Sequence, residues 1–593
     1  MALRGWDYVD VVLFSADAYV DHPSFGAAVI GRVLESAGYR VAIVPQPNWR
    51  DDLRDFRKFG VPRLFFAVSG GAMDSMVNHY TANRRRRSND AYTPDGRSDM
   101  RPDRCVNVYC KILKTLFPDI PVAIGGIEAS LRRLTHYDYW DDKLLPSILL
   151  SSGADWLQYG MGEKSIVALA DAYKQGLTKS EIRHLPQMAY LLDKDEADKI
   201  PDGSRLLHSH EECLGDKRLQ ADNFRQIELA SNRDNCDILV QPAQDKYVVV
   251  NPPYPPLTTD ELDAIYDLPF QRLPHPKYKG KTIPAYEMIK FSVCIHRGCF
   301  GGCAFCTISA HQGKHITSRS IGSIVAEVQK IALLPDFKGY ISDLGGPSAN
   351  MYGMNGRDKT LCKKCRRNSC VHPTVCRNMN ADHRPLLDVY HAVDDLPCVK
   401  KSFIGSGVRY DIILHDNNDK ALNEAALQYA EELIRNHVSG RLKVAPEHTE
   451  PNVLNMMRKP DFALFDKFVK LFEDVCRRYG LRQQIIPYFI SSHPGCTLED
   501  MAELALKTKR LNFQLEQVQD FTPTPMTLAT EMYYTGIDPH GMKPVYVARR
   551  PEEKLRQRMF FFWYKPEQRK QIAAALRGIG RADLITRLLG GKN

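Results

Sequence analysis

Residues 298–306 read GCFGGCAFC, which places Cys299, Cys303 and Cys306 in one short glycine-rich stretch. The stretch follows the run KFSVCI at 290–295, which has the composition of a β-strand. Glycines let a backbone wrap closely around a bulky object, and thiolates are the usual ligands of zinc and of iron-sulfur clusters. Three thiols within eight residues favour a cubane cluster over tetrahedral zinc, and such a cluster keeps one iron without a protein ligand.

Strand-like and helix-like segments alternate on both sides of this stretch. From Tyr8 to about residue 170 the segments include DVVLFS, AAVIGRVLESAG, RVAIVP and IPVAIGG. This alternation predicts an α/β fold with an N-terminal doubly wound domain over residues 1–200. From 286 to 530, six strand-like runs separated by helical segments predict a full or partial TIM-type barrel of β-α units.

The two predicted domains are joined and followed by less regular segments. Residues 201–285 are rich in Pro, Asp and Asn, which predicts a linker. Residues 531–593 contain two basic amphipathic segments, which predict a small helical C-terminal extension.

The bulk composition is that of a globular protein. The chain has 593 residues, enough for roughly three or four domains, and is 44% hydrophobic and 25% charged. The start of the chain carries Asp7, Asp10 and Asp17, unlike a signal peptide, and no run of about 18 apolar residues occurs. We therefore expect a soluble, cytoplasmic protein without a membrane partner.

The fifteen cysteines favour metal chemistry over disulfides, because eight of them fall in two tight groups. The second group lies in a predicted insertion at about 355–385 and consists of Cys362, Cys365, Cys370 and Cys376. Four thiolates suit a structural zinc and an auxiliary iron-sulfur cluster equally well, so both assignments stay open.

The spacing of Cys299, Cys303 and Cys306, with Phe305 before the last cysteine, resembles the CxxxCxxC signature of radical S-adenosylmethionine enzymes. The resemblance implies a 4Fe-4S cluster whose open iron binds the methionine part of S-adenosylmethionine. It also implies an electron donor such as flavodoxin or ferredoxin, and reductive cleavage of the cofactor to methionine and a 5′-deoxyadenosyl radical. Such a radical would modify a substrate by methylation, methylthiolation or a related reaction.

Longer blocks resemble the YgiQ-type family of uncharacterised radical S-adenosylmethionine proteins. They include GGIEASLRRLTHYDYWDD at 125–142 and LKVAPEHTEPNVLNMMRKP at 442–460. The resemblance implies an enzyme of this class and supplies no substrate.

Later strand ends are where the resemblance implies contacts with S-adenosylmethionine. LGGPSANMYG at 344–353 resembles the family's GGE strand end, although Pro347 stands where the Glu would be. The resemblance therefore implies only backbone contacts with the cofactor at this strand end, and no contact from a Glu side chain. The residues implied to contact the cofactor are Phe305, Gly345, Gly346, Ser406, Arg409 and Glu447.

Cobalamin stays open as a further cofactor. The segments VAIGGIEAS and GMGEKSI resemble turns of the cobalamin-binding domains that precede many radical S-adenosylmethionine barrels. The DxHxxG ligand loop is absent, because Asp21 and His22 are adjacent. The alternative is a retained fold whose pocket is empty or serves the substrate.

A rival hypothesis is a non-enzymatic iron-sulfur protein that transfers electrons or binds nucleic acid. In that case Cys294 would be a fourth ligand and the first cluster would be closed. A nucleic-acid partner would use the run of arginines at 84–87 and the basic C-terminal helices, within a net charge of +9. Replacing Cys294 separates the hypotheses, because only a closed cluster needs that thiol.

Overall fold

A computed structural model of the chain describes residues 1–231, 236–516 and 518–590. The fold belongs to the α/β class, as predicted. Within the described residues, no helix combines the length and the apolar character needed to cross a lipid bilayer.

The first sheet has nine strands among the described residues. Across the sheet they are Arg205–Leu206, Leu239–Ala243, Lys246–Val250, Met188–Asp193, Trp156–Gln158, Val122–Gly125, Phe65–Ser69, Val11–Ser15 and Val41–Pro45. The last five are parallel to one another. Read along the chain, these five have the order 2-1-3-4-5, which is a doubly wound arrangement with helices on both faces.

Burial of both faces explains why the parallel strands read as continuous apolar runs. Within Val11–Ser15, the side chains of Val12 and Phe14 join one hydrophobic core, whereas Val11 and Leu13 join the core on the opposite face. This alternation places two helical layers on one sheet. The helices of this half are Gly26–Ser36, Cys105–Leu116, Gly126–Leu131, Ile148–Ser152 and Glu163–Lys174.

The structure differs from the predicted linker over part of its length. Strands Leu239–Ala243 and Lys246–Val250 form a hairpin whose second strand pairs antiparallel with Met188–Asp193. Helix Lys217–Ala230 also lies in this segment and packs on helix Leu528–Thr535. The apolar runs ILV and YVVV drive this pairing, whereas the Pro-rich composition that suggested a linker is concentrated after residue 250. The division into domains at 200, 285 and 530 stays a prediction.

A second group of strands lies in the later half of the chain. The strands are Ser292–Cys294, Tyr340–Ile341, Asp343–Gly345, Lys401–Ser402, Arg441–Glu447, Gln484–Ser491 and Val518–Asp520. Among the described residues they form three small sheets, and every pair within these sheets is parallel. The carboxyl ends of paired strands therefore face the same side of their sheet, and the assembly of the sheets into a barrel stays a prediction. The helices between them are Ile321–Ala332, Arg384–Asp394, Lys420–Glu432, Phe462–Arg478 and Leu498–Arg510.

The C-terminal segment is packed into the body of the protein. Its helices are Pro551–Arg558, Arg569–Gly578 and Asp583–Leu589, and apolar residues of the last two join the core of the second group of strands. Glu228 connects three parts of the chain, because it lies 2.6 Å from a guanidinium nitrogen of Arg458 and 2.6 Å from Nε2 of His540. Burial alone would raise the pKa of Glu228, but the hydrogen bonds from Arg458 and His540 stabilise the charged carboxylate and lower its pKa to about 2.

Candidate functional site

The glycines of the loop 298–306 are required by close backbone approaches. Gly298 has a φ of +87°, and a Cβ there would lie 2.0 Å from the backbone oxygen of His315. Gly302 has a φ of +58°, and its Cβ would lie 2.4 Å from the backbone oxygen of Asn368. Larger side chains would clash with backbone at both positions, so the tight loop depends on glycine.

The loop brings the three predicted thiols together. Burial raises the pKa of Cys299, and the neighbouring thiol of Cys303 raises it further. Burial raises the pKa of Cys306 to about 12, with Cys303 and Cys299 adding to the shift. The thiols influence one another electrostatically, so their sulfur atoms share one region. This donor set fits a cluster held by three thiolates.

Positive charge lies next to this set of thiols. Nη1 of Arg409 donates to Sγ of Cys303 at 3.6 Å, and Nε of Arg409 donates to a carboxylate oxygen of Asp411 at 2.9 Å. Nζ of Lys459 lies 3.8 Å from a carboxylate oxygen of Glu447. Sequence reasoning missed Lys459 and Asp411. Asp411 lies two residues after the predicted Arg409, a spacing that could have suggested the pair.

Cys294 is engaged apart from the three thiols. Its Sγ donates to the backbone oxygen of His296 at 3.2 Å, and it is also hydrogen-bonded to the side chain of Tyr266. The shifts of Cys299 and Cys306 have no contribution from Cys294 among their main causes. These contacts favour Cys294 as a strand residue and not as a fourth ligand.

Glu447 lies close to the loop, as expected for a residue at a strand end. It ends the strand Arg441–Glu447 with a φ of +70°, and burial raises its pKa. Its charge also raises the pKa of Cys306. The Glu447 carboxyl therefore belongs to the same site as the cysteine loop.

Ser406 and the two predicted glycines form a tight contact at two neighbouring strand ends. Oγ of Ser406 donates to a carboxylate oxygen of Asp343 at 2.7 Å, so this hydroxyl has a protein partner. A Cβ on Gly345 would lie 2.5 Å from that Oγ, and a Cβ on Gly346 would lie 2.4 Å from Cε1 of His296. The absence of side chains on this pair lets the backbone pass between two polar side chains.

His296 is a functional candidate that sequence reasoning missed. Its ring is fully buried, and neither ring nitrogen has a hydrogen-bond partner among the described residues. Burial lowers the pKa of His296 to about 3, so the imidazole is neutral near pH 7. Buried polar groups normally have partners, so this ring is a candidate ligand contact beside Gly346.

We predict that Gly346→Ala weakens binding of S-adenosylmethionine about tenfold, because the added methyl group forces the His296 ring and the strand end apart and so displaces the backbone expected to contact the cofactor. Backbone shifts of this kind in a packed core cost about 1–3 kcal/mol. The added methyl group would fall within 3 Å of the His296 ring. Equilibrium dialysis with the reconstituted protein measures the effect. Gly322→Ala is the matched control, since the closest atom to its added Cβ is a side-chain oxygen at 3.9 Å. Equal affinities for both variants would contradict the prediction.

Phe305 connects the cysteine loop to aromatic rings at later strand ends. Its ring centroid lies 6.0 Å from that of His493, which lies 5.3 Å from that of Phe521. Burial lowers the pKa of His493 to about 4, and its Nε2 has no partner among the described residues. The predicted aromatic residue therefore borders a buried, neutral imidazole.

The second cysteine group is docked directly on the first. The backbone nitrogen of Cys370 donates to the backbone oxygen of Phe300 at 3.1 Å, and Oγ of Ser369 donates to that of Gly301 at 2.6 Å. Burial raises the pKa of Cys370 to about 11, with Cys376, Cys365 and Cys362 adding to the shift. All four predicted thiols are therefore neighbours. Over residues 1–231, 236–516 and 518–590, no three His, Cys, Asp or Glu side chains have the spacing for a single metal ion.

The ligand crevice typical of a doubly wound sheet is filled in this protein. Arg101 lies at the carboxyl ends of Val11–Ser15 and Phe65–Ser69, fully buried, and forms ion pairs with Asp17 at 2.8 Å and Asp90 at 2.9 Å. Ligands of such sheets usually bind at this point, where the strand order reverses. In this protein the crevice is occupied by the buried side chains of Arg101, Asp17 and Asp90.

A cavity of about 1080 Å³ lies instead at the end of the fifth parallel strand. Its walls include residues that follow Trp156–Gln158, the proline-rich segment 252–257, helix Ile308–Gln312 and the second cysteine group. Its volume exceeds the roughly 300–1,000 Å³ of pockets for drug-sized ligands. The cavity therefore offers space for a large molecule beside both cysteine groups.

Comparisons with known proteins agree with this site. A family model described as Radical SAM N-terminal matches residues 1–292, and a domain of unknown function matches residues 516–588. A UPF0313 protein of Bacteroides thetaiotaomicron is 64% identical over 602 residues, covering 100% of this chain and 97% of the relative. A UPF0313 protein of Porphyromonas gingivalis is 64% identical over 588 residues, covering 99% and 93%.

One solved structure has a similar fold across its full length. It is the radical S-adenosylmethionine methyltransferase TsrM of Kitasatospora setae with cobalamin and a 4Fe-4S cluster bound, at 14% identity and a TM-score of 0.50. The match covers 98% of this chain and 99% of that one, and it concerns the fold alone.

Together the fold, the cysteine loop and the family model define a radical S-adenosylmethionine enzyme. The chain belongs to the UPF0313 family, since relatives of that name match it over nearly its whole length at 64% identity. The prediction of an uncharacterised family of radical S-adenosylmethionine proteins is confirmed.

Proposed function

We propose that Cys299, Cys303 and Cys306 hold a 4Fe-4S cluster and that the neighbouring strand ends bind S-adenosylmethionine. When bound and reduced, the cluster supplies the electron that cleaves the cofactor to methionine and a 5′-deoxyadenosyl radical. The observation that carries the proposal is the convergence of three thiols in one loop while Cys294 is bonded elsewhere. The product is a modified substrate, with methylation and methylthiolation as candidate outcomes.

The chain's own residues would bind and orient the cofactor. Arg409 lies at the thiols and would offset the negative charge that forms when they lose their protons to bind a metal. The backbone of Gly345 and Gly346, which no side chain of the pair covers, would bind the amino group of the methionine part. Glu447 and Lys459 are a buried pair next to Cys306 and would bind polar groups of the cofactor or the substrate.

The second cysteine group supports a second metal centre as a proposal. Cys362, Cys365, Cys370 and Cys376 lie against the cysteine loop and line the large cavity. A zinc ion and an auxiliary iron-sulfur cluster both use four thiolates. Counting zinc and iron in the same sample separates them.

Cobalamin is a candidate further cofactor, and flavodoxin or ferredoxin a candidate electron donor. TsrM, whose fold is similar, binds cobalamin. In this chain the sheet's usual crevice is filled by Arg101, whereas the cavity of about 1080 Å³ fits a large group. Counting cobalt after purification from cells supplied with cobalamin tests the assignment.

Nucleic acid stays a candidate substrate or partner. In the arginine run, Arg84 lies over the ring of Tyr139 at 4.5 Å and Arg86 pairs with Asp99, so these two have protein contacts. Arg85 and Arg87 are exposed and would contact phosphates.

The test is reductive cleavage of S-adenosylmethionine. We predict that the anaerobically reconstituted protein forms 5′-deoxyadenosine after reduction with dithionite, because three protein ligands would leave one iron open for the cofactor. Chromatography of the products measures it, with protein that has not been reconstituted as the control. Iron binding without any 5′-deoxyadenosine would favour the rival electron-transfer or nucleic-acid-binding protein.

A further inference from the structure

Arg133 is a buried guanidinium at the wall of the large cavity. Only 6% of the residue is exposed. Nη1 donates to the backbone oxygen of Ser130 at 2.7 Å, whereas the buried Nε has no partner among the described residues. The guanidinium also lies over the aromatic ring of Tyr159, 4.8 Å from the ring centroid. Within the part of the chain that the structure describes, no carboxylate pairs with this guanidinium.

The other buried arginines of the described chain each have a carboxylate partner. The pairs are Arg101 with Asp17 and Asp90, Arg132 with Asp74, Arg272 and Arg319 with Glu327, Arg297 with Glu163, Arg409 with Asp411, and Arg458 with Glu228. Burial lowers the pKa of Arg133, and no carboxylate is among the main causes that act on it. An arginine stays charged when buried, so an unpaired one is costly unless an anion joins it.

The rest of the wall suits an anion attached to a large apolar body. The described residues of the lining include six cationic side chains and two carboxylates: Arg133, Lys164, Arg297, Lys314, Arg367 and Arg377, against Glu163 and Asp237. Prolines of the segment 252–257 and the ring of Phe300 supply apolar surface. The wall is therefore positive overall and partly apolar.

We propose that this cavity binds a large ligand carrying a phosphate or phosphodiester group, and that Arg133 pairs with that group. A guanidinium fork matches phosphate in a bidentate geometry. The excess of cations favours a group with several acceptor oxygens. A corrinoid with its nucleotide loop and a nucleotide share this chemistry. The inference deepens the cobalamin candidate of the proposed function, which concerns the same cavity, and its test does not depend on cleavage of S-adenosylmethionine.

The test compares binding to the full-length protein and its variants by equilibrium dialysis. The ligands are hydroxocobalamin and the dinucleoside phosphate ApA, each with and without excess inorganic phosphate. Arg133→Gln should weaken binding at least about tenfold, since it removes one partner of a desolvated charge pair. Arg133→Lys should retain part of the affinity. Arg183→Gln is the control, because Arg183 pairs with Glu196 and does not line the cavity.

Thermal melting of the ligand-free protein gives a second, independent readout. Removing an uncompensated buried charge should leave the melting temperature of Arg133→Gln unchanged or higher. Loss of binding with retained stability supports the proposal, and binding of hydroxocobalamin without ApA identifies a corrinoid. The proposal fails if neither ligand binds the wild type, if all variants bind equally, or if Arg133→Gln melts well below the wild type.

Discussion

Cys303→Ala should abolish formation of 5′-deoxyadenosine from S-adenosylmethionine. Three thiols of one loop lie near enough to shift one another's pKa values, and Cys303 also accepts the hydrogen bond from Arg409. With two thiolates left, we expect loss of about four irons per chain, the content of one cubane. Iron analysis, the electron paramagnetic resonance of the reduced protein and product chromatography measure these losses together.

Two control variants make this result specific. Cys294→Ala should retain iron and activity, because its thiol is bonded to the backbone oxygen of His296. Cys365→Ala removes a thiol of the second group, so its metal loss reports the other centre alone. If Cys294→Ala loses as much iron as Cys303→Ala, the first cluster has four ligands and the proposed open iron is wrong.

Glu531→Gln should raise the free energy of unfolding at pH 8 by about 3 kcal/mol and have no effect at pH 4. This value follows from the difference of about 2.5 units between the pKa of Glu531 in the folded protein and its ordinary value. Glu531 is 2% exposed between helices Lys217–Ala230 and Leu528–Thr535, and its partner is Nε2 of Gln220 at 3.0 Å. Burial raises its pKa from 4.5 to about 7. Between these values the unfolded chain loses the proton and the folded protein keeps it, so stability falls as the pH rises.

Urea unfolding of the two proteins at pH 4, 6 and 8 measures this difference. Above about pH 7 the difference should be constant, because both states are then ionised. Glu567→Gln is the control, since that carboxylate is exposed. A stability difference that is equal at pH 4 and pH 8 would contradict a neutral carboxyl in the folded protein.

Patterns within short segments of sequence predicted the structural elements whose residues are neighbours along the chain. The parallel strands of the first sheet are continuous apolar runs, and the cysteine loop is a strand followed by glycines and thiols. The hairpin at 239–250 was missed because the prolines after it dominated the composition of 201–285. Its pairing partner, Met188–Asp193, lies some fifty residues earlier, and such a register is not visible in one segment.

Some of the polar residues around the thiols were predicted and others were missed, because contacts between distant segments are not visible in the sequence. Arg409, Glu447 and Gly346 lie at strand ends, where a ligand site was expected. Lys459 follows a helix, and His296 is significant only because Gly346 lies against its ring. Whether a side chain has a partner depends on residues far away in sequence.

By itself the sequence determined the α/β class and the three-thiol loop, because both depend on residues that are neighbours along the chain. Only the tertiary structure decided that Arg101 fills the sheet's crevice, that Cys294 is bonded apart from the three loop thiols, and that Arg133 has no carboxylate partner among the described residues. The physical reason is that burial and charge pairing are set by strand register and packing, which bring together groups separated by tens to hundreds of residues.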